Sequence, residues 1–167
     1  MYIKTERLEL KPICREGVQS LADLLMDDIV KQTYMVPDFA SREDALKLAD
    51  RIRGLSEDPC RYVVGIYLGN QLIGMMNDTE REGDRVEMGY ALLPRFHNQG
   101  YCTEAMKAMI AYLLNHGFSQ VEAGAFEGNA ASLQVMAKSG MTRIEKQDMI
   151  EYRGKTHRCI YYLAERT

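Results

Sequence analysis

Two features of this chain could do chemistry: one turn and a set of carboxylates. The turn spans Asn98 to Thr103 and runs into QGYCTEAMKAMIAYL, an amphipathic helical pattern. The first amides of a helix have no internal partner, and the helix dipole is positive there. A glycine at Gly100 leaves no side chain in the way of a ligand. The stretch therefore offers a seat for an anion such as phosphate, at the carboxyl end of a strand, where open sheets bind ligands. A glycine that only makes the turn fits the same spacing. Two other phosphate loops are excluded, because the chain has neither GxxxxGK followed by Ser or Thr nor GxGxxG.

The carboxylates are Glu87, Glu122 and Glu127. Side chains alternate along a strand, so Val86, Met88, Tyr90 and Leu92 share one face, and Glu87, Gly89 and Ala91 share the other. A carboxylate beside two small residues has room for substrate or water, which makes Glu87 the candidate base. The competing reading is an edge glutamate facing solvent. Glu122 falls with Gly124 and Phe126, opposite Val121, Ala123 and Ala125. It and Glu127 are rival bases, or they line an acidic mouth. His97, His116 and His157 lack metal-ligand spacing and read as packing or surface residues, so no metal is expected.

The elements that must hold these residues follow from periodicity. Arg7 to Leu10 alternates as a strand, and Val18, Leu21, Ala22, Leu25 and Met26 recur at helical spacing. The loop KQTYMVPDFA follows. Ser41 then caps a second helix, with Asp44 as its box-like partner and Gly54 as its end. Arg61–Leu68 and Gln71–Asp78 read as strands joined at Gly69-Asn70, a two-residue hairpin signal. The polar loop TEREGD precedes a strand over Arg85–Leu93. A helix runs to His116 and stops at Gly117. Ser119–Phe126 is a strand and Asn129–Ser139 a short helix. Met141–Ile150 and Thr156–Ala164 form a last hairpin. The order β α α β β β α β α β β predicts a mixed α/β (α+β) sheet carrying helices, with one parallel crossover in the middle.

The 167 residues, 46% hydrophobic, suit a single domain over 1–167. A net charge of −3 gives no reason to expect nucleic acid or an anionic membrane as partner. The start, MYIKTERLEL, is not a signal-peptide core, and no window approaches the ~18 apolar residues of a membrane span. Cys14, Cys60, Cys102 and Cys159 are far apart, which points to free thiols in the cytoplasm.

Several of these segments resemble the GNAT-superfamily acetyltransferases. GYCTEA is similar to the GYATEA stretch in the branch that acetylates ribosomal protein N-termini. The family's pyrophosphate pattern, Gln/Arg-x-x-Gly-x-Gly/Ala, falls on His97 to Cys102, with His97 and Cys102 departing from it. Thr5-Glu6-Arg7-Leu8-Glu9-Leu10 resembles the opening strand and Glu87-Met88-Gly89-Tyr90 the fourth. Asn129-Ala130-Ala131-Ser132 with Lys138-Ser139-Gly140-Met141 resembles the Asn-x-x-Ser and Lys-x-Gly-Phe block.

The resemblance implies a sheet split between the family's fourth and fifth strands, here Arg85–Leu93 and Ser119–Phe126, flanked by about four helices. It implies acetyl-CoA as co-substrate. The pantetheine arm would lie along Leu92 and Leu93. The pyrophosphate would rest on the amides of Asn98, Gln99, Gly100, Tyr101, Cys102 and Thr103, with His97 at the loop's first place. Asn129 would bond the pantetheine amides, or cap its helix. Ser132 matches the residue assigned as general acid, or serves as a local cap. The tyrosine that many members carry seven residues after the Asn is Met136 here. Amide formation needs a neutral amine, whose ammonium form has a pKa of about 10.4, so a base such as Glu87 is useful. Direct attack in a ternary complex predicts no acetyl intermediate on Cys102. Tyr34, Tyr152, Tyr161 and Tyr162 could wall an acceptor site formed by the 31–40 loop and the last hairpin, although burial of most of them is also expected.

The expected function is acetyl transfer to a primary amine, protein N-terminal or small-molecule. The alternative is an acyl-CoA-binding sensor with little catalysis, for which Met136 argues. A nucleotide-phosphate enzyme lacks the lysine and metal carboxylates it would need. A homodimer through exposed sheet edges is left open.

Overall fold

The structure, a computed structural model, describes residues 1–166. Its strands are β1 (Ile3–Lys4), β2 (Leu8–Lys11), β3 (Val64–Leu68), β4 (Gln71–Glu82), β5 (Arg85–Leu92), β6 (Gln120–Phe126), β7 (Thr142–Tyr152) and β8 (Lys155–Glu165). Its helices are α1 (Gly17–Met26), α2 (Arg42–Glu57), α3 (Tyr101–Asn115) and α4 (Ala130–Lys138). The strands form one sheet in the order β1-β2-β3-β4-β5-β6-β8-β7. Every neighbouring pair is antiparallel except β5 with β6. The expected mixed α/β architecture is present, and the short β1 shifts the strand count by one.

Two apolar layers cover the sheet. On one face α3 buries Ala105, Met106, Met109 and Leu113 against Leu8, Leu10, Ile66, Val86, Met88 and Val121. The stripe Met106, Met109 and Leu113 is wholly buried, as its spacing predicts, each side chain contributing about 1.5–3 kcal/mol. On the other face α1 and α2 pack Leu21, Leu25, Ala45 and Ala49 against Tyr67, Leu72, Met75 and Ala91. The odd and even residues of β5 therefore serve different layers, as alternation requires.

The structure corrects several boundaries. Gly54 does not close α2, which continues to Glu57. Ser56 holds the extra turn: its Oγ accepts from the Ile13 amide at 2.8 Å and donates to the Arg53 carbonyl at 2.6 Å. The helix ends at Asp58, where the following Pro59 disfavours helical backbone. The segment TEREGD is mostly strand. β4 runs on to Glu82 through an irregularity at Thr79, and Gly83, with φ +60, makes the turn. Thr79 to Glu82 are polar and all exposed, so composition disguises the strand. Strand β3 starts at Val64 rather than Arg61, because Tyr62 is tied instead to Asp78 through its amide and carbonyl. The expected loop over 31–40 begins inside a 3-10 turn at Val30–Gln32.

Strands β5 and β6 pair only at Arg85–Gln120, Val86–Val121 and Glu87–Glu122. Beyond Glu87 they part, while β6 stays paired to β8 through Phe126. That parting positions the site.

Candidate active site

The parting strands open a cleft of about 500 Å3. Its walls are Gly89 to Leu92 of β5, Gly124 and Ala125 of β6, Asn129 and Ser132 at the start of α4, and the turn before α3. His97, Asn98, Gly100, Tyr101, Cys102 and Thr103 all line it. Leu92 lines it too, but Leu93 turns into the α1/α2 layer and gives its amide to the Ile73 carbonyl at 2.8 Å. Gln99 does not line the cleft. Its side-chain amide donates to the Arg95 carbonyl at 3.0 Å.

The turn has the electrostatics of an anion seat. The first helical bond of α3 runs from Glu104 N–H to the Gly100 carbonyl. Among the described residues, the six consecutive amides of Asn98 to Thr103 donate to nothing in the protein. Asn98 at φ 59 and Gly100 at φ 80 are both left-handed, and such alternation turns successive N–H groups toward a common side. The His97 side chain is engaged elsewhere, its Nε2 lying 2.8 Å from the Leu92 carbonyl oxygen.

Glu87 sits where β5 and β6 separate, on the face away from α3. Its side chain is 20% exposed, so it is not a plain solvent-facing edge residue. Thr79 Oγ1 donates to its Oε1 at 3.0 Å, a contact set up by the irregularity in β4. Burial holds the Glu87 carboxyl above the ordinary carboxylate value. The Thr79 bond and the Lys146 charge oppose burial, and Glu122 and Glu80 add to it. A raised carboxylate is a better proton acceptor.

Glu122 is its cross-strand neighbour but a different kind of group. It is 1% exposed and bonded to Lys146 Nζ, with Arg85 Nη1 3.3 Å from its other oxygen. Its oxygens are committed to cations. Lys146 also reaches within 3.8 Å of Glu87 and lies 4.1 Å from the centre of the Tyr161 ring. Glu127 pairs with Arg158 at 3.5 Å on the surface, outside the cleft.

Asn129 caps α4: its Oδ1 accepts from the Ser132 amide at 3.2 Å. Its Nδ2 donates to Ser132 Oγ at 3.0 Å, which leaves the serine proton free to go elsewhere. Met136 is fully buried in the core. Tyr90, in the cleft wall, donates to the Ser132 carbonyl at 3.2 Å. Burial pushes the Cys102 thiol up to about 12.

The loop that brings Tyr34 to the cleft is held by a clasp. Tyr152 Oη donates to the Lys31 carbonyl at 2.6 Å, and Arg153 holds Asp38 by two bonds, at 2.7 and 3.2 Å. These hold the 31–38 loop against the β7–β8 turn, and that loop sets Tyr34 in the cleft wall. Tyr34 Oη donates to Asn77 Oδ1 at 2.6 Å. Tyr161 packs under Gly124 and donates to Asp148 at 2.8 Å, while Tyr162 packs on the α3/α4 side. His157 stacks on Phe126 and His116 on Tyr112, packing roles as expected. Sequence reasoning missed Lys146, Thr79, Asn77 and Arg7. Each acts through a partner distant in the chain or across a strand irregularity, and no local pattern marks them. No group of three or more potential metal ligands occurs among the described residues.

A mixed sheet that splits beside a row of unpartnered amides is an arrangement suited to an anionic ligand. The chain belongs to the acetyltransferase (GNAT) domain family, whose model matches residues 7–142, and it is an acetyl-CoA-dependent acetyltransferase. It is similar to the uncharacterized N-acetyltransferase YoaA of Bacillus subtilis (23% identical, covering 84% of this chain and 82% of that protein). It is also similar to an FsC-acetyl coenzyme A-N(2)-transacetylase of Aspergillus fumigatus (25% identical, 86% of this chain and 66% of that protein). Among solved structures it is similar to RimL, the ribosomal L7/L12 alpha-N-protein acetyltransferase, in complex with coenzyme A. That likeness has a TM-score of 0.85 at 20% identity, over 99% of this chain and 98% of that one. No helix among the described residues is long and apolar enough to cross a membrane.

Proposed function

We propose that this acetyltransferase moves the acetyl group to a primary amine by direct attack while both substrates are bound. The supporting observation is the placement of six unpartnered amides at the mouth of one split, with a buried-raised carboxylate at its apex. Acetyl-CoA supplies the activated thioester. Its diphosphate rests on the amides of Asn98 to Thr103, and its pantetheine arm lies along β5. Glu87 takes the amine proton as the nitrogen bonds to the carbonyl carbon. The C–S bond then breaks. The leaving thiolate, whose conjugate acid has a pKa of about 8.5, takes a proton from Ser132, which regains one from solvent as Glu87 releases the amine proton to solvent. Ser132 is suited to this because its Oγ already accepts from Asn129 and keeps its own proton.

A protein N-terminal amine is the acceptor we favour, in line with the fold shared with RimL. A second reading, a sensor that binds acyl-CoA with little turnover, draws on Met136, which cannot donate a proton. One assay separates them. Free-thiol release from acetyl-CoA is followed with and without a panel of amines, including peptides with free N-termini. Release that depends on an amine supports the enzyme. Tight binding without amine-dependent release overturns direct transfer in favour of the sensor.

A further inference from the structure

Two segments far apart in the chain meet at the turn before α3. Glu104, in the first turn of α3, receives three hydrogen bonds from the β1–β2 connection. Thr5 Oγ1 donates to its Oε1 at 2.6 Å and the Arg7 amide to the same oxygen at 2.9 Å. Arg7 Nε donates to its Oε2 at 2.7 Å. The same guanidinium donates from Nη1 to the Gln99 carbonyl at 2.9 Å and lies 4.4 Å from the centre of the Tyr101 ring. Its Nη2 would stand 3.3 Å from a Cβ built on Gly100. Arg7 thus touches Gln99, Tyr101 and Glu104, beside Gly100, and does not line the cleft.

Two consequences follow from peptide geometry and charge. A trans peptide directs its C=O and N–H to opposite sides. With the Gln99 carbonyl held on Arg7, the Gly100 N–H must point away from Arg7. The second concerns Glu104 itself. A carboxylate in the first turn is drawn to unpartnered amides at a helix N-terminus, and it repels a phosphate placed there. Burial raises the Glu104 carboxyl, but the bonds from Thr5 and Arg7 outweigh it and hold the carboxyl below the usual range. The charge is spent on the β1–β2 connection.

We propose that Arg7 is a positioning residue for the acyl donor's diphosphate, holding the Gln99 carbonyl and neutralising Glu104 so that the amides of Asn98 to Thr103 stay turned to the ligand. This rests on the reading of that turn as the diphosphate seat. It goes beyond an ordinary exposed ion pair, whose removal changes little.

The experiment is calorimetric titration of the full chain with acetyl-CoA and with S-acetylpantetheine, which lacks the diphosphate. The variants are Arg7→Ala, Glu104→Gln and the double substitution, each melted without ligand as a fold check. Wild type binds acetyl-CoA far more tightly than S-acetylpantetheine. Arg7→Ala weakens acetyl-CoA by roughly tenfold or more, the scale of lost charge-assisted bonds, and leaves S-acetylpantetheine unchanged. Adding Glu104→Gln recovers part of that loss. If wild type shows no preference for the diphosphate-bearing donor, the seat itself is misread. If the preference holds but Arg7→Ala stays within twofold of wild type, Arg7 alone is overturned. An equal loss for both donors also overturns it, since that is general structural damage.

Discussion

Replacing Gly100 separates backbone strain from charge at the turn. The residue has φ +80 and ψ −2, where any side chain costs about 1–2 kcal/mol. A Cβ there meets only Arg7 Nη2, at 3.3 Å, the end of a flexible chain that can yield. Gly100→Ala therefore carries the backbone cost alone, a melting-temperature loss of about 2–8 °C, with acetyl-CoA affinity nearly kept. Gly100→Glu carries the same cost and adds a carboxylate. At roughly 7 Å from a diphosphate with about two charges, and an effective dielectric between about 80 and 20, the repulsion is about 1–5 kcal/mol. That is roughly five- to several-thousandfold in affinity. Any pairing of the new carboxylate with Arg7 draws the guanidinium off Gln99 and Glu104, which acts in the same direction. Calorimetry with acetyl-CoA at low and high salt measures the difference between the two variants, and salt should shrink it. Equal affinity of Gly100→Glu and Gly100→Ala at low salt would refute an anion seat on these amides.

Three further outcomes are expected. A base must be deprotonated, so kcat/KM should rise with pH through the raised Glu87 value. Glu87→Gln should lower turnover and remove that acidic limb while leaving acetyl-CoA affinity near wild type; an unchanged pH profile sinks Glu87 as base. Cys102→Ala should keep activity, because a thiol at about 12 is thiolate in only about one molecule in 10⁵ at neutral pH; mass spectrometry should find no acetyl group on Cys102. Tyr152→Phe removes the Lys31 bond of the clasp, so it should cost about 1 kcal/mol of stability and raise KM for the amine with little change for acetyl-CoA. A KM rise for acetyl-CoA instead would place the clasp on the donor side.

Much of the frame was legible because it is local. The Met106, Met109, Leu113 stripe repeats at helical spacing and is buried. Gly69-Asn70 announces a hairpin through its backbone preferences, and Gly69 adopts positive φ. Asn129 and Ser41 cap the helices they precede. The errors were local signals overridden from a distance. Gly54 looked like a helix end until Ser56 tied the next turn to Ile13. TEREGD looked like a loop because its outward residues are polar, while pairing with β5 made it a strand.

By itself the sequence determined most of the elements, the glycine turn before α3 and the face on which Glu87 lies, since periodicity and glycine geometry act between near neighbours. Only the tertiary structure decided what those groups can do. Glu122 is a partner of Lys146 and Arg85 rather than a free base because β6 and β7 are brought together across β8. Arg7 meets Glu104 and the Gln99 carbonyl because the β1–β2 connection sits beside α3. Hydrogen bonds and ion pairs depend on distance in space, and no spacing along the chain encodes that distance.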